Sequence, residues 1–467
     1  MRQEYLLLPL LLFSLFSCGD NADEATDVWI GGEIVNPKYG YVLLMKDREI
    51  IDTMRLDDNN FFMYHIDSVA EGLYSFHHGE YQVMHLSPGD SLMLRVNTTE
   101  FDESLSYSGG GARKNNLLID FFLQNERENQ MMPELYMLSP EAFETKIDSL
   151  TNERQKFFEV YLKKDEPSES FKSIINANIL YDEYSKRELY IARHSRKTSN
   201  TELQEIPASF YEHRGDIDYN NASLKNYYSY FRFLNRLFDN MAYDRYKEEQ
   251  GYDRYSYVHT KHKLAIIDSL VESDLLKNNI SRTNTQRFLL RAGDQKEVDE
   301  IYALFASMNK DPEDVAEIQS LKTSIENLMP SKRIPNIKLV TEANTVKDLH
   351  TLITKPSVLF FWTSESAQHN ENIHTKAAEL REKYPEYQFI GINTDTHFRK
   401  WRSIVRALGY NTSLEFQIED IENARQALVL SSISKSLIVD RNGDILEHYT
   451  NLFHPDLESK LLGYLNQ

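Results

Sequence analysis

The chain of 467 residues contains one cysteine, Cys18, and it stands within the first twenty residues. No intramolecular disulfide, CxxC redox centre or cysteine-based metal knuckle can be built from one thiol. The fold must therefore rest on buried apolar surface, and the length is enough for about three ordinary domains. Acidic residues outnumber basic ones, 72 to 52, for a formal net charge of −20. That balance argues against a protein that covers phosphates with Lys and Arg, so nucleic acid is set aside as a partner. Glycine and proline are sparse, 17 and 13 residues, while Tyr reaches 28. The chain leans towards helix, with tyrosines in positions that Leu or Val would often take.

The surroundings of Cys18 read as an address. An apolar run from Tyr5 to Phe16, 12 residues interrupted by Pro9, follows Met1-Arg2-Gln3-Glu4. A membrane span needs about 20 apolar residues, so this run reads as a secretory h-region followed by a small residue. Leu15-Phe16-Ser17-Cys18 resembles the bacterial lipobox. The resemblance implies that residues 1–17 are a signal peptide and that Cys18 is acylated, giving a membrane partner through a lipid anchor. At about 0.8 kcal/mol per buried CH₂, several acyl chains make a stable anchor. Residues 18–26 form an acidic tether, in which Gly19-Asp20-Asn21-Ala22-Asp23-Glu24 resembles the surface-export signal of Bacteroidota lipoproteins; a solvated linker is the other reading. The expected location is the cell envelope, as an outer-membrane lipoprotein on the periplasmic or the surface face.

From Asp27 to Gly111 short strands recur at roughly 10-residue spacing with turn residues between them. They are Val28–Val35, Tyr41–Met45, Ile50–Leu56, Phe61–Ile66, Leu73–His77, Gln82–Leu86 and Ser91–Val96, with Pro88-Gly89-Asp90 as the clearest turn. This pattern predicts an all-β sandwich over residues 27–111. Gly109-Gly110-Gly111 with Arg113 and Lys114 lacks the spacing of a phosphate-binding P-loop and reads as a plain loop.

Helical periodicity then takes over and predicts an α-helical region over 112–329. Phe143, Ile147, Leu150, Phe157 and Tyr161 share one face, as do Leu224, Tyr227, Tyr228, Phe231, Leu234, Phe238 and Met241. Asp311-Pro312-Glu313-Asp314 carries the signature of a helix start. The tyrosines from Tyr181 to Tyr257 could form a ligand platform, but at helical spacing they read as core. Pro330 and Pro335 end the helical run, so a linker is expected at 330–336.

After Pro335, strands and helices alternate, which predicts βαβ units around a mainly parallel sheet over 337–467. Three motifs here resemble the TlpA/ResA branch of thioredoxin-like envelope proteins. Pro335-Asn336-Ile337-Lys338-Leu339 matches the family's Pro-x-φ-x-Leu lead-in, where φ is apolar. Phe361-Trp362-Thr363-Ser364-Glu365-Ser366-Ala367-Gln368-His369 matches the strand that enters the Cys-x-x-Cys site. Leu437 to Ile445 matches the late hairpin. The resemblance implies a C-terminal α/β thioredoxin-like fold. In the same way Ile50-Ile51-Asp52-Thr53, the Ser87–Ser91 turn and Gly109–Asn116 resemble the β domain that precedes such modules in Bacteroidota lipoproteins.

The departures from the family matter as much. Ser366 and His369 occupy the two cysteine positions, and Ser434 stands where the family has its cis-proline. Disulfide exchange needs a thiolate and a resolving thiol, so no catalytic residue is expected and the domain reads as redox-inactive. No cofactor and no metal are expected; His369, His374 and His397 lack paired-ligand spacing. The function expected is a binding or assembly module with a protein partner in the envelope. The alternative is an enzyme: an oxidoreductase-like protein using a partner's thiol, or a hydrolase using Ser366 and His369 with Glu365 or Glu371 as orienting acid.

Overall fold

The computed structural model describes residues 27–47, 49–196, 205–221, 224 and 227–466. The signal peptide, Cys18 and the whole tether lie outside the described residues. The chain forms two compact units, one up to Leu180 and one from Tyr181 onward.

The first unit opens with seven strands: β1 (Val28–Val35), β2 (Tyr41–Lys46), β3 (Glu49–Arg55), β4 (Phe61–Ile66), β5 (Gly72–His78), β6 (Glu80–Leu86) and β7 (Ser91–Asn97). A short helix α1 (Phe101–Ser104) and strand β8 (Ser106–Gly109) follow, then α2 (Ala112–Leu135) and α3 (Pro140–Leu162). The strands make two four-stranded sheets, β4-β1-β7-β8 and β3-β2-β5-β6. Alternation decides which residues face inward: Leu92, Leu94 and Val96 of β7 are buried, and they join Val28, Val42, Phe62, Phe76 and Met84 in one core. The sandwich architecture is as the sequence predicts, with β8 as an added edge strand.

The glycine run ending β8 has a packing reason. Gly109 and Gly111 have φ of +87° and +85°, and a Cβ on Gly111 would stand 2.7 Å from the Asp90 carboxylate. That carboxylate accepts from Ser87 N–H and from Lys114 Nζ, both at 2.7 Å. Arg113 meets Asp165 at 3.1 Å, so both cations behind the glycines are engaged within the unit. Two asparagines then join helix to strands: Asn115 exchanges two hydrogen bonds with the His85 backbone, and Asn116 two with the Tyr107 backbone. Between α2 and α3, Arg154 pairs with Glu128 at 2.8 Å, both buried.

The division between the units falls within α4 (Glu169–Ser195). The second unit continues with a 3₁₀ helix at Ala208–Asp216, then α5 (Tyr228–Tyr246), α6 (Tyr257–Leu270), α7 (Asp274–Leu289), α8 (Gln295–Met308) and α9 (Pro312–Glu326). Tyr190, Tyr227, Tyr230, Tyr243 and Tyr246 are buried in this helical segment. Asp311 caps α9 by accepting from Glu313 and Asp314 N–H, with Pro312 in the first turn.

The C-terminal part contains β9 (Lys338–Val340), β10 (Val346–Asp348), α10 (Leu349–Leu352), β11 (Ser357–Trp362), α11 (Ala367–Lys383), β12 (Gln388–Asn393) and α12 (Phe398–Ala407). It ends with β13 (Glu415–Ile418), α13 (Ile421–Leu428), β14 (Ser436–Val439), β15 (Ile445–Thr450) and α14 (Leu457–Leu465). The seven strands run β10-β9-β13-β12-β11-β14-β15, with β11, β12 and β13 parallel and β14 antiparallel to β11. Every residue of β11 and β12 is buried, as expected of central strands covered on both faces. The proline-bearing run before β9 is not a free tether. Ser331 N–H donates to Ile445 O and Ile334 N–H to Gly443 O, both at 2.8 Å, and Ile334 is buried. The helices after Tyr181 and the C-terminal sheet belong to the same compact unit.

Candidate functional site

The end of β11 delivers the chain to the position singled out by sequence. Asp395, in the loop after β12, holds the Thr363–Ser366 turn: it accepts from Thr363 Oγ1, from Ser364 N–H at 2.7 Å and from Asn393 Nδ2 at 3.0 Å. Burial alone would raise the Asp395 carboxyl, but these donors hold it below the usual carboxylate range. The turn is therefore fixed by an ionised carboxylate lodged under it.

Ser366 is the N-cap residue of α11 but makes no capping hydrogen bond through its side chain. His369 lies in the first turn, half-buried, with Nε2 3.4 Å from Phe361 O. Among the described residues no hydrogen bond joins Ser366 to His369, and no carboxylate orients His369. Glu365 is exposed, and Glu371 sits on the wall of a neighbouring cavity. The geometry thus does not assemble a nucleophile, base and orienting acid. Among the described residues no group of three or more His, Cys, Asp or Glu could hold a metal ion. His374, in particular, is stacked on Tyr410 with ring centroids 3.7 Å apart.

Ser434 precedes β14, and its N–H donates to Ser432 Oγ at 3.2 Å. All described peptide bonds are trans. The next residue, Lys435, is 1% exposed, and its Nζ donates to the carbonyls of Leu428 and Val429 at 2.8 and 3.1 Å. These are the carbonyls that end α13, where Val429 takes a left-handed φ of +48°, unusual for a β-branched residue. The lysine thus adds a buried donor at the helix terminus, where Val429 O also accepts from Ser431 N–H at 2.8 Å. Burial pushes the Lys435 amine down to about 7. A neutral amine still has N–H groups to give both carbonyls.

Along α11 from Ala367 to Arg381 lies a cavity of about 680 Å³, closed on its other side by Leu408–Asn411. Its floor is Glu415, 2% exposed, which accepts from Trp362 Nε1 at 3.1 Å. His374 Nε2 stands 3.4 Å from the other Glu415 oxygen. His374 Nδ1 is 2.8 Å from Asn370 O, an acceptor only, so the proton on that nitrogen follows from its partner. Tyr410 donates to Asn370 Oδ1 at 3.2 Å, and burial together with Glu415 pushes its phenol up to about 12. Gly391 on β12 leaves room for Glu415, since a Cβ there would collide with both carboxylate oxygens. Polar atoms set in an aromatic wall suit a small ligand or an inserted side chain. Sequence reasoning did not find Glu415 or Tyr410; the one signal was a glycine inside the apolar strand Gln388–Asn393.

Residues 354–445 match the family described as Thioredoxin-like. The match runs from just before β11 to the first residue of β15, across the three parallel strands and the antiparallel β14. The C-terminal domain is thioredoxin-like. Solved structures that resemble it include a thiol:disulfide interchange protein from a Bacteroides species, at 13% identity and TM-score 0.27 over 30% of this chain and 93% of that one. Another is the thioredoxin domain of a thiol-disulfide oxidoreductase from Bacteroides vulgatus, at 14% identity and TM-score 0.25 over 30% and 99%. A third is a conserved protein of unknown function from Bacteroides fragilis, at 13% identity and TM-score 0.24 over 29% and 98%. The fold assignment stands on the family match and the sheet order. No curated protein matches the chain.

Proposed function

We propose that this chain is a lipid-anchored envelope protein whose thioredoxin-like domain has given up thiol chemistry and serves as a binding or assembly module. The observation that carries the reading is the state of positions 366 and 369. Where the resembling family places two cysteines, the chain has Ser366 and His369, which no hydrogen bond connects. The one thiol of the chain is Cys18, and acylation would consume it. A domain without an attacking or a resolving thiol cannot pass electrons between disulfides. The cavity over Glu415 is the surface such a module retains for recognition, by a partner protein in the envelope.

The test is insulin reduction by the purified mature chain with dithiothreitol. The rate should equal that of dithiothreitol alone; turnover above it would overturn the redox-inactive reading. The anchor is checked by fractionation: Cys18→Ala should move the protein from the membrane pellet to the soluble fraction. Retention of that variant on salt-washed membranes would overturn the lipid anchor.

A further inference from the structure

The helical segment of the second unit encloses a cavity of about 430 Å³ whose wall carries Arg196, Arg232, Arg236, Arg254 and Arg287. A chain with a net charge of −20 has little reason to gather five guanidinium groups around one hollow unless something compensates them. The two carboxylates that also face the cavity are engaged by cations behind them. Glu188 accepts from Arg214 Nε and Nη2, both at 2.8 Å, and from Asn240 Nδ2 at 2.7 Å. Asp239 accepts from Lys263 Nζ at 2.7 Å and meets His259 Nε2 at 3.0 Å. Each acid therefore has a cation of its own outside the ring, and the wall arginines are in excess.

Two of the five are occupied elsewhere: Arg236 donates to Ser185 Oγ at 2.6 Å, and Arg232 lies over the Tyr228 ring. The other three are presented to the hollow. Arg196 is 3.7 Å from the Tyr252 ring centroid and donates to Asn240 Oδ1 at 2.7 Å, which fixes the plane of its guanidinium. Arg254 is exposed, lies 5.6 Å from the Tyr255 ring centroid and reaches Asp239 at 3.8 Å, which leaves its fork open to solvent. Arg287 is half-buried, makes no ion pair among the described residues and donates to Asn284 Oδ1 at 3.4 Å. Burial and the charge of Arg254 hold Arg287 below its ordinary value, the mark of crowded like charges.

We propose that this cavity binds a small oxyanion ligand carrying two or more negative charges, a phosphate ester or a polycarboxylate, gripped by Arg196, Arg254 and Arg287. Planar guanidinium forks pair with such oxygens two at a time, and Tyr252 offers an apolar face to the body of the ligand. The site is separate from the cavity over Glu415, so it stands or falls independently of the function proposed above.

The test uses the full mature chain with pyrophosphate and citrate as probes, by isothermal titration and thermal unfolding at low salt, where screening is weakest. At least one probe should bind at a single site with Kd below about 1 mM, and Arg254→Ala combined with Arg287→Ala should weaken it at least about tenfold. Arg287→Lys keeps the charge but loses the fork, and should weaken binding as well. Without anion, the double variant should melt at the wild-type temperature or above it, because like charges have been separated. Pyrophosphate binding more tightly than citrate would assign the ligand to the phosphate class, and the reverse to the carboxylates. The proposal is overturned if neither probe binds the wild type at about 10 mM, if the double variant binds as well as the wild type, or if its anion-free melting temperature falls, since the arginines would then be packing elements.

Discussion

Two regions of the C-terminal unit present polar side chains in opposite ways. At the start of α11, Ser366 and His369 occupy positions that the motif resemblance marks as chemical, yet the Ser366 side chain caps nothing and the nearest partner of His369 is a carbonyl at 3.4 Å. In the helical segment no motif announces Glu188, yet it is fully buried and accepts from Arg214, Asn240 and His213. Burial would raise its carboxyl, but those donors bring it down to about 2. On the function proposed above, a position keeps its place in a fold after its chemistry has gone. A buried carboxylate cannot stay without its partners, because an unpaired charge in the interior costs several kcal/mol.

The sharpest way to break that contrast is to remove the buried acid. Glu188→Ala takes from the partly buried Arg214 and the buried His213 the carboxylate they share, and should cost about 3–5 kcal/mol, or a fall in melting temperature of about 10 °C. Scanning calorimetry reads it directly; a fall under about 2 °C would mean that solvent already compensates Arg214. A smaller effect is expected at Lys435, whose amine titrates near 7 when folded against an ordinary 10.5. Between those values the unfolded chain holds the extra proton, so this lysine makes stability rise with pH from about 7 towards 10. Lys435→Met should flatten the rise in urea-denaturation midpoint over that window, while a slope equal to the wild type would assign it to other groups. The smallest effect belongs to the aligned site. Ser366→Ala with His369→Ala should shift the melting temperature by no more than about 2 °C, as for side chains without buried partners. A larger loss would show that they are structural.

The sequence made the sandwich legible because its strands alternate: β1 and β4 run between the very residues that the pattern predicts, and β7 extends it by one. It made β11 legible because five consecutive apolar residues after Ser357, before a glycine-free turn, can only be a central strand or a buried helix segment, and the length favours a strand. β13 escaped, since Glu415 and Gln417 read as surface residues. Their burial depends on partners far along the chain: Trp362 for Glu415, and Asn393 and the Asp395 carbonyl for Gln417. β8 escaped because four residues that end in a glycine look like a turn. The same rule applies to the arginine-lined cavity, where Arg196, Arg254 and Arg287 are separated by loops and helices and meet only in three dimensions. What was legible rested on local periodicity, and what was not rested on charges and hydrogen bonds satisfied across the fold.

The central claim is that Ser366 and His369 stand in the two cysteine positions of a thioredoxin-like domain, and a pair of cysteines tests it most directly. Residues three apart at a helix start are neighbours, within the reach of a disulfide. In the Ser366→Cys, His369→Cys variant of the mature chain, with Cys18 also replaced by alanine, mild oxidation should consume both thiols within one molecule. The helix N-terminus favours the thiolate of the first cysteine, which assists the reaction. Counting free thiols against non-reducing electrophoresis distinguishes the outcomes: no free thiol and a monomeric band is the result predicted, whereas two thiols that stay free, or that pair only between molecules, would contradict the account.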